Sequence, residues 1–415
     1  MSHTTPQADP AQAATSVTPD LARLQAVRRQ ALRQLKTERS FDAIVVFSQG
    51  GALGAAARSH AYLRLFIDWD GVDQSSMLVL AAGRSVLFVT NPFQIAPAAA
   101  VPGVDEVVFA RPAEVGPQLA KLFTALGLPA APSLGLCGLP EMPVQTWQSI
   151  NAALPGLSHA DCSAELDAWR VHKQQAEIDG LDRAAGICDH LFERLGGLLH
   201  EDRAAWQVQR DIEHAAFMAG AEYCKTWLTI APWADGPRYL KRENLRAPRA
   251  GDQVLLGLML KLDGYWGHAI RMGSWREAQP EHRQAHDVVL RMFEAALPHC
   301  RIGGDLRQAE ADINAVLDQH LGTVPRADLS RFRNGHGLGL AYEEPLSVSA
   351  FPQHADPGAA PPPRSLAVTA EGVFELHPNF FIRGVGGAAL GDMIHASGQP
   401  ARRMLVSDLG YRIWR

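Results

Sequence analysis

Cysteine is scarce in this chain, and its spacing forms no metal or disulfide pattern. The five cysteines, Cys137, Cys162, Cys188, Cys224 and Cys300, are scattered through 415 residues without a CxxC pair. Neither a disulfide framework nor a thiolate zinc site is therefore indicated. Scattered, reduced and mostly buried thiols are typical of a cytoplasmic protein.

Long apolar runs and an excess of basic charge are also lacking. No stretch approaches the run of about 18 apolar residues that a membrane span needs. A net charge of -5 gives no positive surface for nucleic acid. Residues 1–18 lack the basic start and apolar run of a signal peptide, and their composition predicts a disordered tail. We therefore expect a cytoplasmic protein with neither a membrane nor a nucleic-acid partner.

The chain is long enough for two domains, and its first part has mixed periodicity. Hydrophobic content of 47% and charged content of 20% are typical of a globular protein. Apolar spacing predicts helices at 19–36, 113–126 and 143–154. It also predicts a buried strand at 41–47 and a hairpin at 76–90. Residues 19–167 are therefore predicted to form an α/β domain with a mixed sheet.

Helices and hairpins alternate in blocks through residues 168–415. A long amphipathic helix is predicted within 164–195, and further predicted helices lie at 203–219, 280–297 and 304–321. Hairpins are predicted at 252–273, 338–350 and 365–398. The second domain is therefore predicted to be α+β. The proline-rich stretch 354–364 is predicted to be a lid or a dimer contact.

Three motifs in the second domain carry a family resemblance. They are "GDQVLLGLMLKLDGYWGHAIR" (251–271), "NGHGLGLAYEEP" (334–345) and "FELHPNFFIRGVGGAALGD" (374–392). In this order they resemble the pita-bread superfamily of creatinase, prolidase, aminopeptidase P and methionine aminopeptidase. The resemblance implies a creatinase-type N-terminal α/β domain, a pita-bread catalytic domain and a homodimer.

The metallopeptidases of that superfamily bind two metal ions through Asp, Asp, His, Glu and Glu. Carried over by motif, the two Asp positions fall on Gly257 and His268, and the family histidine is retained as His336. The two Glu positions fall on His377 and Gly391. All four carboxylate ligands are absent, and a bridged pair of divalent ions needs carboxylates to neutralise its charge. The resemblance therefore does not extend to a two-metal site.

Three histidines remain where the strands of this fold would meet: His268, His336 and His377. Three clustered imidazoles repel one another when protonated, and a metal ion would relieve that repulsion by taking their lone pairs. One ion with room left at the two glycine positions has the open coordination of a catalytic site. Imidazole favours a divalent transition metal, here Fe or Zn, over Mg or Ca.

Carboxylates and a phenol beside the second motif are candidate catalytic groups. Glu343 falls where these peptidases carry a second histidine, and Glu344 follows it. Either side chain could orient an imidazole or move a proton, and a solvated pair is an equally good interpretation. Tyr342 is expected to contact the substrate at the same place.

Three further residues are predicted to bind substrate. Arg271 matches a family arginine after the second metal ligand. Trp233 and Tyr239 lie in the loop 231–248, which lacks the histidine that the family usually has there. Surface exposure explains the loop residues equally well.

The sequence leaves several functions open. The leading prediction is a mononuclear metal-dependent hydrolase acting on a small polar metabolite. A non-haem iron oxygenase could use the same three histidines. A metal-free, creatinase-like hydrolase or lyase would use one histidine as acid and base, with His336 the expected proton carrier. The last alternative is an inactive binding module.

Overall fold

The computed structural model describes residues 19–322, 328–348, 366–398 and 400–415. The predicted tail 1–18 and the proline-rich stretch 354–364 lie outside the described residues. None of the described helices is long and apolar enough to cross a membrane.

The first part of the chain forms one six-stranded sheet flanked by helices. Its strands are β1 (Ala43–Ser48), β2 (Ser76–Ala81), β3 (Arg84–Val89), β4 (Glu106–Phe109), β5 (Ser133–Cys137) and β6 (Ser158–Asp161). The order is β4-β3-β2-β1-β5-β6, with antiparallel pairs at β1–β2 and β2–β3 and parallel pairs elsewhere. The helices are α1 (Pro19–Glu38), α2 (His60–Arg64), α3 (Ile95–Ala99), α4 (Val115–Ala125) and α5 (Val144–Ala153). The predicted mixed α/β architecture is confirmed.

Strand β1 is apolar from Ala43 to Phe47 because both of its faces are covered. Ile44 and Val46 point into one apolar cluster, which continues into the second part of the chain. Val45 and Phe47 point into a separate cluster beneath α4 and α5. This two-residue alternation between two cores is the expected result of a strand buried on both faces.

The described residues of the second part form five α-helices: α6 (Ser163–Val171), α7 (Gln175–Leu198), α8 (Ala205–Met218), α9 (Pro280–Ala296) and α10 (Leu306–Leu321). The single helix predicted within 164–195 is wrong in one respect, because the chain breaks between α6 and α7. Gln174 starts α7, and its backbone N–H donates to the Glu177 carboxylate at 3.1 Å. The same carboxylate accepts both arms of Arg28 from α1. This cap and ion pair fix the helix start.

The predicted domain boundary, between residues 167 and 168, falls within α6 and stays a prediction.

Three mainly antiparallel sheets complete the described residues of the second part. The first has the order β18-β9-β8-β7 and contains β7 (Tyr223–Ala231), β8 (Gln253–Leu262), β9 (Tyr265–Trp275) and β18 (Arg412–Trp414). The second has the order β12-β11-β13-β16-β17, with β11 (Gly335–Gly337), β12 (Glu344–Ser347), β13 (Gly372–Leu376), β16 (Asp392–Ala396) and β17 (Arg402–Arg403). The third joins β10 (Leu329–Ser330), β14 (Asn379–Ile382) and β15 (Gly386–Ala389). The hairpin predicted at 252–273 is β8–β9.

A short backbone bridge joins the first two of these sheets. The Ile270 N–H donates to the Gly391 carbonyl at 3.0 Å, and the Gly391 N–H donates back at 3.1 Å. Strand β9 is thereby held against the start of β16. This contact brings side chains from β9, β11 and β13 to one place, although the three strands are far apart in the sequence.

Candidate metal centre

Four buried side chains from three strands converge beneath the joined sheets. His268 lies on β9, His336 on β11, Glu375 on β13, and His377 follows β13 directly. His336 and Glu375 are directly opposite each other across the β11–β13 pair. Glu375 and His377 are two residues apart, so they point to the same side of the strand. Each of the four is at most 3% exposed.

The carboxylate of Glu375 lies at the centre of the three rings. Its Oε2 is 2.8 Å from His268 Nδ1, 3.0 Å from His377 Nε2 and 3.7 Å from His336 Nε2. The three imidazole centroids are 5.4 to 5.6 Å apart. Donor atoms of His268, His336 and Glu375 all lie within 4.8 Å of one another. The three predicted histidines therefore meet, and they meet around a carboxylate that the sequence analysis missed.

The donor atoms that face one another lack hydrogen-bond partners. Within the described parts of the chain, none is found for either Glu375 oxygen, His268 Nδ1, His336 Nε2 or the ring nitrogens of His377. The short N–O distances thus come without the angles that a hydrogen bond needs. A buried group left unpaired costs about 1–3 kcal/mol. Nitrogen and oxygen ligands about 2.1 Å from one tetrahedral ion would be separated by roughly 3.4 Å, which matches this spacing.

The protonation states also suit a metal ion. Burial lowers the pKa of His268 to about 3, with the Arg333 charge adding to the effect. Burial likewise lowers the pKa of His336 and His377 well below the usual histidine range. His336 Nδ1 lies 3.0 Å from the Gly337 carbonyl, which fixes the tautomer with Nε2 unprotonated toward Glu375. The imidazoles are therefore neutral and offer lone pairs.

The pKa of the Glu375 carboxyl shifts in the opposite direction for the same reason, because burial disfavours the charged form. Burial raises its pKa well above the usual glutamate range. A nearby cation would reverse that shift, since opposite charge stabilises the ionised form. The buried donor atoms of His268, His336 and Glu375 therefore fit a single divalent ion, and His377 Nε2 lies 3.0 Å from Glu375 Oε2.

The two glycines that replace family carboxylates do not leave open room, so that expectation is wrong. A methyl group at Gly257 would lie 2.0 Å from Cε2 of Trp227, whose indole rests on β8. A methyl group at Gly391 would lie 2.5 Å from Oε1 of Glu375. One space is filled by an indole and the other by the missed carboxylate. The open side of the cluster is instead toward a cavity.

That cavity, of about 720 Å³, reaches His268 and His377. The predicted residues Tyr239, Tyr342 and Glu343 all line it. The Tyr342 hydroxyl lies 3.3 Å from His268 Nε2, and its ring centroid is 4.9 Å from that of His336. Burial raises the pKa of Tyr342 well above the usual tyrosine range, so its phenol keeps its proton.

Glu343 joins the two parts of the chain at the cavity wall. Its Oε2 accepts from Arg58, which follows the short 3₁₀ segment Gly51–Ala56, at 2.7 Å. Its Oε1 accepts from Arg333. Burial opposes ionisation of Glu343, but the hydrogen bond and charge of Arg333 hold its pKa below the usual range. Glu343 is therefore a carboxylate with both oxygens engaged.

Two other predicted residues occupy structural positions. Glu344 is buried, 2.8 Å from Nε of Arg170, and accepts from the Ala341 N–H at 3.0 Å. Arg271 is completely buried and donates to Asp392 at 3.0 Å and to Ser407 Oγ at 2.8 Å. Neither lines the 720 Å³ cavity, so a substrate contact by Arg271 gains no support from its position. Glu344 instead lines a separate cavity of about 260 Å³ together with His336, and its proton-transfer role stays a prediction.

Trp233 also lies away from the centre. It lines a separate cavity of about 380 Å³, where its ring centroid is 6.3 Å from that of His282. The substrate contact predicted for Trp233 is therefore not supported by its position. The Trp233 side chain is about half exposed, as expected if this loop residue lies on the protein surface without a substrate role.

Two signals in the sequence could have found more of the site. Glu375 stands two residues before His377 in a predicted strand, and two-residue spacing puts both on one face. The same spacing on β7 places Tyr223, Lys225 and Trp227 along the cavity. No sequence spacing pointed to Arg58, because this residue belongs to the N-terminal part of the chain.

Comparisons with known proteins agree with this fold. The model of metallopeptidase family M24 matches residues 179–397, more than half of the chain. "Probable dipeptidase PepE" of Mycobacterium tuberculosis is 26% identical over 386 residues, covering 86% of this chain and 93% of that protein. A Bacillus subtilis protein named as a dipeptidase, YkvY, is 23% identical over 251 residues, which are 60% of this chain and 64% of that protein.

The whole architecture also matches a solved structure. The X-Pro aminopeptidase of Thermotoga maritima superposes with a TM-score of 0.75 at 17% identity, covering 92% of this chain and 99% of that chain. The predicted fold is thus confirmed as a creatinase-type N-terminal domain followed by a pita-bread catalytic domain. Such a likeness shows the fold alone. Together with the family match, it leads to one assignment: the chain belongs to metallopeptidase family M24, a family of metal-dependent hydrolases.

Proposed function

We propose that this protein is a hydrolase that uses one divalent transition-metal ion held by His268, His336, His377 and Glu375. The observation that carries the proposal is the set of buried donor atoms that face one another without hydrogen-bond partners. Three of these residues were predicted as ligands from the sequence, and Glu375 supplies the charge that three neutral imidazoles lack.

The surroundings favour one ion over two. A bridged pair of ions needs several carboxylates, and the cluster contains one. The indole of Trp227 fills the room beside Gly257, where the resemblance puts the first family ligand. We therefore infer that this chain holds one ion, although it belongs to a family whose peptidases bind two.

A divalent ion in this position would polarise a substrate carbonyl and lower the pKa of a bound water. The residues of the chain would do the rest. His336, oriented through its Nδ1 by the Gly337 carbonyl, keeps its lone pair toward the centre. Tyr342 keeps its phenolic proton and can donate it in a hydrogen bond to a substrate oxygen at the cavity floor. Glu343 holds Arg58 and Arg333 at the wall, so its role is to position these cations.

An oxygenase is the second candidate, because His268, His336 and Glu375 together provide two histidines and one carboxylate. Two histidines and one carboxylate form the usual facial set of non-haem Fe(II) oxygenases, while the same residue types also hold catalytic zinc. The two functions differ in the metal that the protein retains. Protein purified without added metal should contain zinc, cobalt or manganese if it is a hydrolase. Iron together with substrate-dependent oxygen uptake would support the oxygenase instead.

Metal analysis of site variants tests the proposal directly. We expect about one ion per chain by elemental mass spectrometry, and more than a tenfold fall in content for His336→Ala and Glu375→Gln. The matched control is His200→Ala, since His200 is exposed and outside the site. Two ions per wild-type chain, or full metal content in Glu375→Gln, would contradict the proposal.

Two expectations about partners remain proposals. A small-molecule substrate agrees with a cavity of this size, since small ligands usually occupy cavities of about 300–1,000 Å³. A homodimer follows from the family resemblance, and light scattering of the purified protein would give its mass.

A further inference from the structure

The cavity beside the metal centre is walled by aromatic rings. Trp227 and Phe332 lie with their centroids 6.0 Å apart, and Phe332 continues the contact to His377 at 5.3 Å. On the other side, Tyr342 reaches His268 at 4.9 Å. Tyr239 completes the aromatic wall, which we define as Trp227, Tyr239, Phe332 and Tyr342. The wall offers ring faces and edges to a ligand and few hydrogen-bonding groups.

The glycine at position 257 is what lets this wall form. The Trp227 indole lies so close to β8 that any side chain at Gly257 would displace it. Trp227 is almost completely buried, and its edge still lines the cavity. The position that carries a metal ligand in the family motif thus serves here to seat an aromatic side chain.

The charged groups that line the cavity are mostly cationic. Arg58, Lys225 and Arg333 line it, and Glu343 is its only carboxylate within the described ranges. Both oxygens of Glu343 already accept from Arg58 and Arg333. Lys225 is partly exposed, with its Nζ 3.7 Å from Glu213. A ligand carboxylate would be attracted here, whereas a ligand ammonium group would meet cations and no free carboxylate.

We propose that the cavity recognises aromatic carboxylates whose nitrogen is blocked, such as N-acyl aromatic amino acids. This inference rests on the proposed hydrolase function for its chemistry. The aromatic ring packs against Trp227 and Phe332, and the carboxylate pairs with the cations that include Arg58 and Lys225. The acyl carbonyl is then directed to the histidine cluster.

The reaction would be hydrolysis of the amide. The carbonyl C–N bond breaks and a C–O bond forms to the oxygen of water. One water proton goes to the departing nitrogen, so the products are a carboxylic acid and an aromatic amino acid. A free dipeptide differs by its α-ammonium group, which this lining disfavours. The substrate predicted from the sequence as a small polar metabolite thus becomes one that also carries an apolar aromatic ring.

Calorimetric titration tests the recognition separately from the chemistry. The probes are N-acetyl-phenylalanine, its carboxamide, N-acetyl-alanine and the free dipeptide alanyl-phenylalanine. We expect N-acetyl-phenylalanine to bind at least tenfold more tightly than each of the others. The titrations are made with chelated and with metal-loaded protein, so that binding is measured whether or not an ion is present.

Variants locate the two parts of the site. Lys225→Met should weaken N-acetyl-phenylalanine binding at least fivefold and leave N-acetyl-phenylalaninamide binding unchanged. Phe332→Leu should weaken both aromatic probes and not N-acetyl-alanine. Lys121→Met, an exposed change on α4, is the control for overall charge and should have no effect.

The outcomes separate this inference from the proposed function. Equal or tighter binding of alanyl-phenylalanine would overturn the recognition proposed here, even if one ion binds at the histidine cluster. The expected probe order in a protein that binds no metal would support the recognition and refute the hydrolase. Turnover of N-acetyl-phenylalanine by metal-loaded protein only, following the same order of probes, would support both.

Discussion

Two buried carboxylates lie on neighbouring strands and have opposite surroundings. Asp392 on β16 receives hydrogen bonds at Oδ2 from Arg271 at 3.0 Å and from Arg403 at 2.7 Å. Glu375 on β13 meets only imidazole nitrogens, and its oxygens accept no hydrogen bond from the described residues. Both side chains are completely buried. Burial alone therefore does not distinguish these two carboxylates, whereas their partners do.

The difference has a physical cause. A buried carboxylate is stable when a guanidinium both neutralises it and fills its lone pairs. Arg271 and Arg403 neutralise Asp392 in this way at Oδ2, although its Oδ1 has no hydrogen-bond partner among the described residues. Glu375 has no such cationic contact, so an ion from outside the chain is the natural complement. Variants at the two carboxylates should consequently fail in different ways.

The largest effect is expected at the structural pair. Arg271→Met leaves Asp392 buried with only part of its hydrogen bonds, so the free energy of unfolding should fall by about 3–5 kcal/mol. Denaturant titration measures this fall, and elemental analysis of the folded fraction should still find the metal. The control Arg23→Met, on the exposed face of α1, should change stability by less than about 0.5 kcal/mol. A stable Arg271→Met that has lost its metal would reverse the assignment of the two clusters.

Metal removal should affect only the other carboxylate. At free metal near 100 times the dissociation constant, binding stabilises the folded state by about 2.7 kcal/mol. Chelation should remove that stabilisation from the wild type and leave Glu375→Gln unchanged. The measurement is the denaturation midpoint with and without chelator. Equal losses in both proteins would show that the ion binds elsewhere.

A smaller effect on stability is expected at Gly257, where the Trp227 indole occupies the room of a family metal ligand. Gly257→Ala forces a methyl group against Trp227, which should destabilise the protein by about 1–3 kcal/mol. In the double variant with Trp227→Leu, part of that loss should be recovered, as measured by a double-mutant cycle. Gly186→Ala is the matched control, because open space surrounds Gly186 on α7. It should be neutral or slightly stabilising. Additive effects at 257 and 227 would contradict the contact.

A third buried group extends the comparison to pH. Burial, followed by the charges of Arg64 and Lys261, lowers the pKa of His60 to about 3. His60 is thus neutral when folded, and the unfolded chain takes up its proton as the pH falls through 6.5. This contribution to stability is therefore lost progressively between pH 6.5 and about 3.

The expected size is modest near neutrality. Between pH 7 and pH 5.5 the loss due to His60 should be about 1 kcal/mol. His60→Gln should show a correspondingly weaker fall in stability with acid, measured by denaturant titration at each pH. The metal-free protein is used for both, so that the histidine cluster contributes equally. Parallel pH profiles would show that His60 does not titrate in this range.

The sequence predicted the fold well because local patterns and motif order carry it. The helices α1, α4, α5, α8, α9 and α10 and the hairpins β2–β3 and β8–β9 were all expected close to their observed bounds. The break between α6 and α7 was missed, since it depends on the Glu177 carboxylate being held by Arg28 from a distant helix. Periodicity continues across such a break and does not reveal it.

The convergence of three histidines was predicted, and the carboxylate between them was not. Motif alignment singled out His268, His336 and His377, which the fold brings together. Glu375 was missed because the family motif places its glutamate at the position of His377, and Glu375 lies two residues before it. Arg271 and Glu344 were expected near substrate, yet distant partners Asp392 and Arg170 engage them inside the protein.

The sequence by itself determined the order of the elements, the two-domain plan and the absence of four family carboxylates. These follow from spacing along the chain, where periodicity and motifs are directly visible. Only the tertiary structure decided which buried charges are paired, which glycine seats the Trp227 indole, and which carboxylate the three imidazoles surround. Those outcomes depend on contacts between residues far apart in sequence, and electrostatic compensation is determined by distance in space.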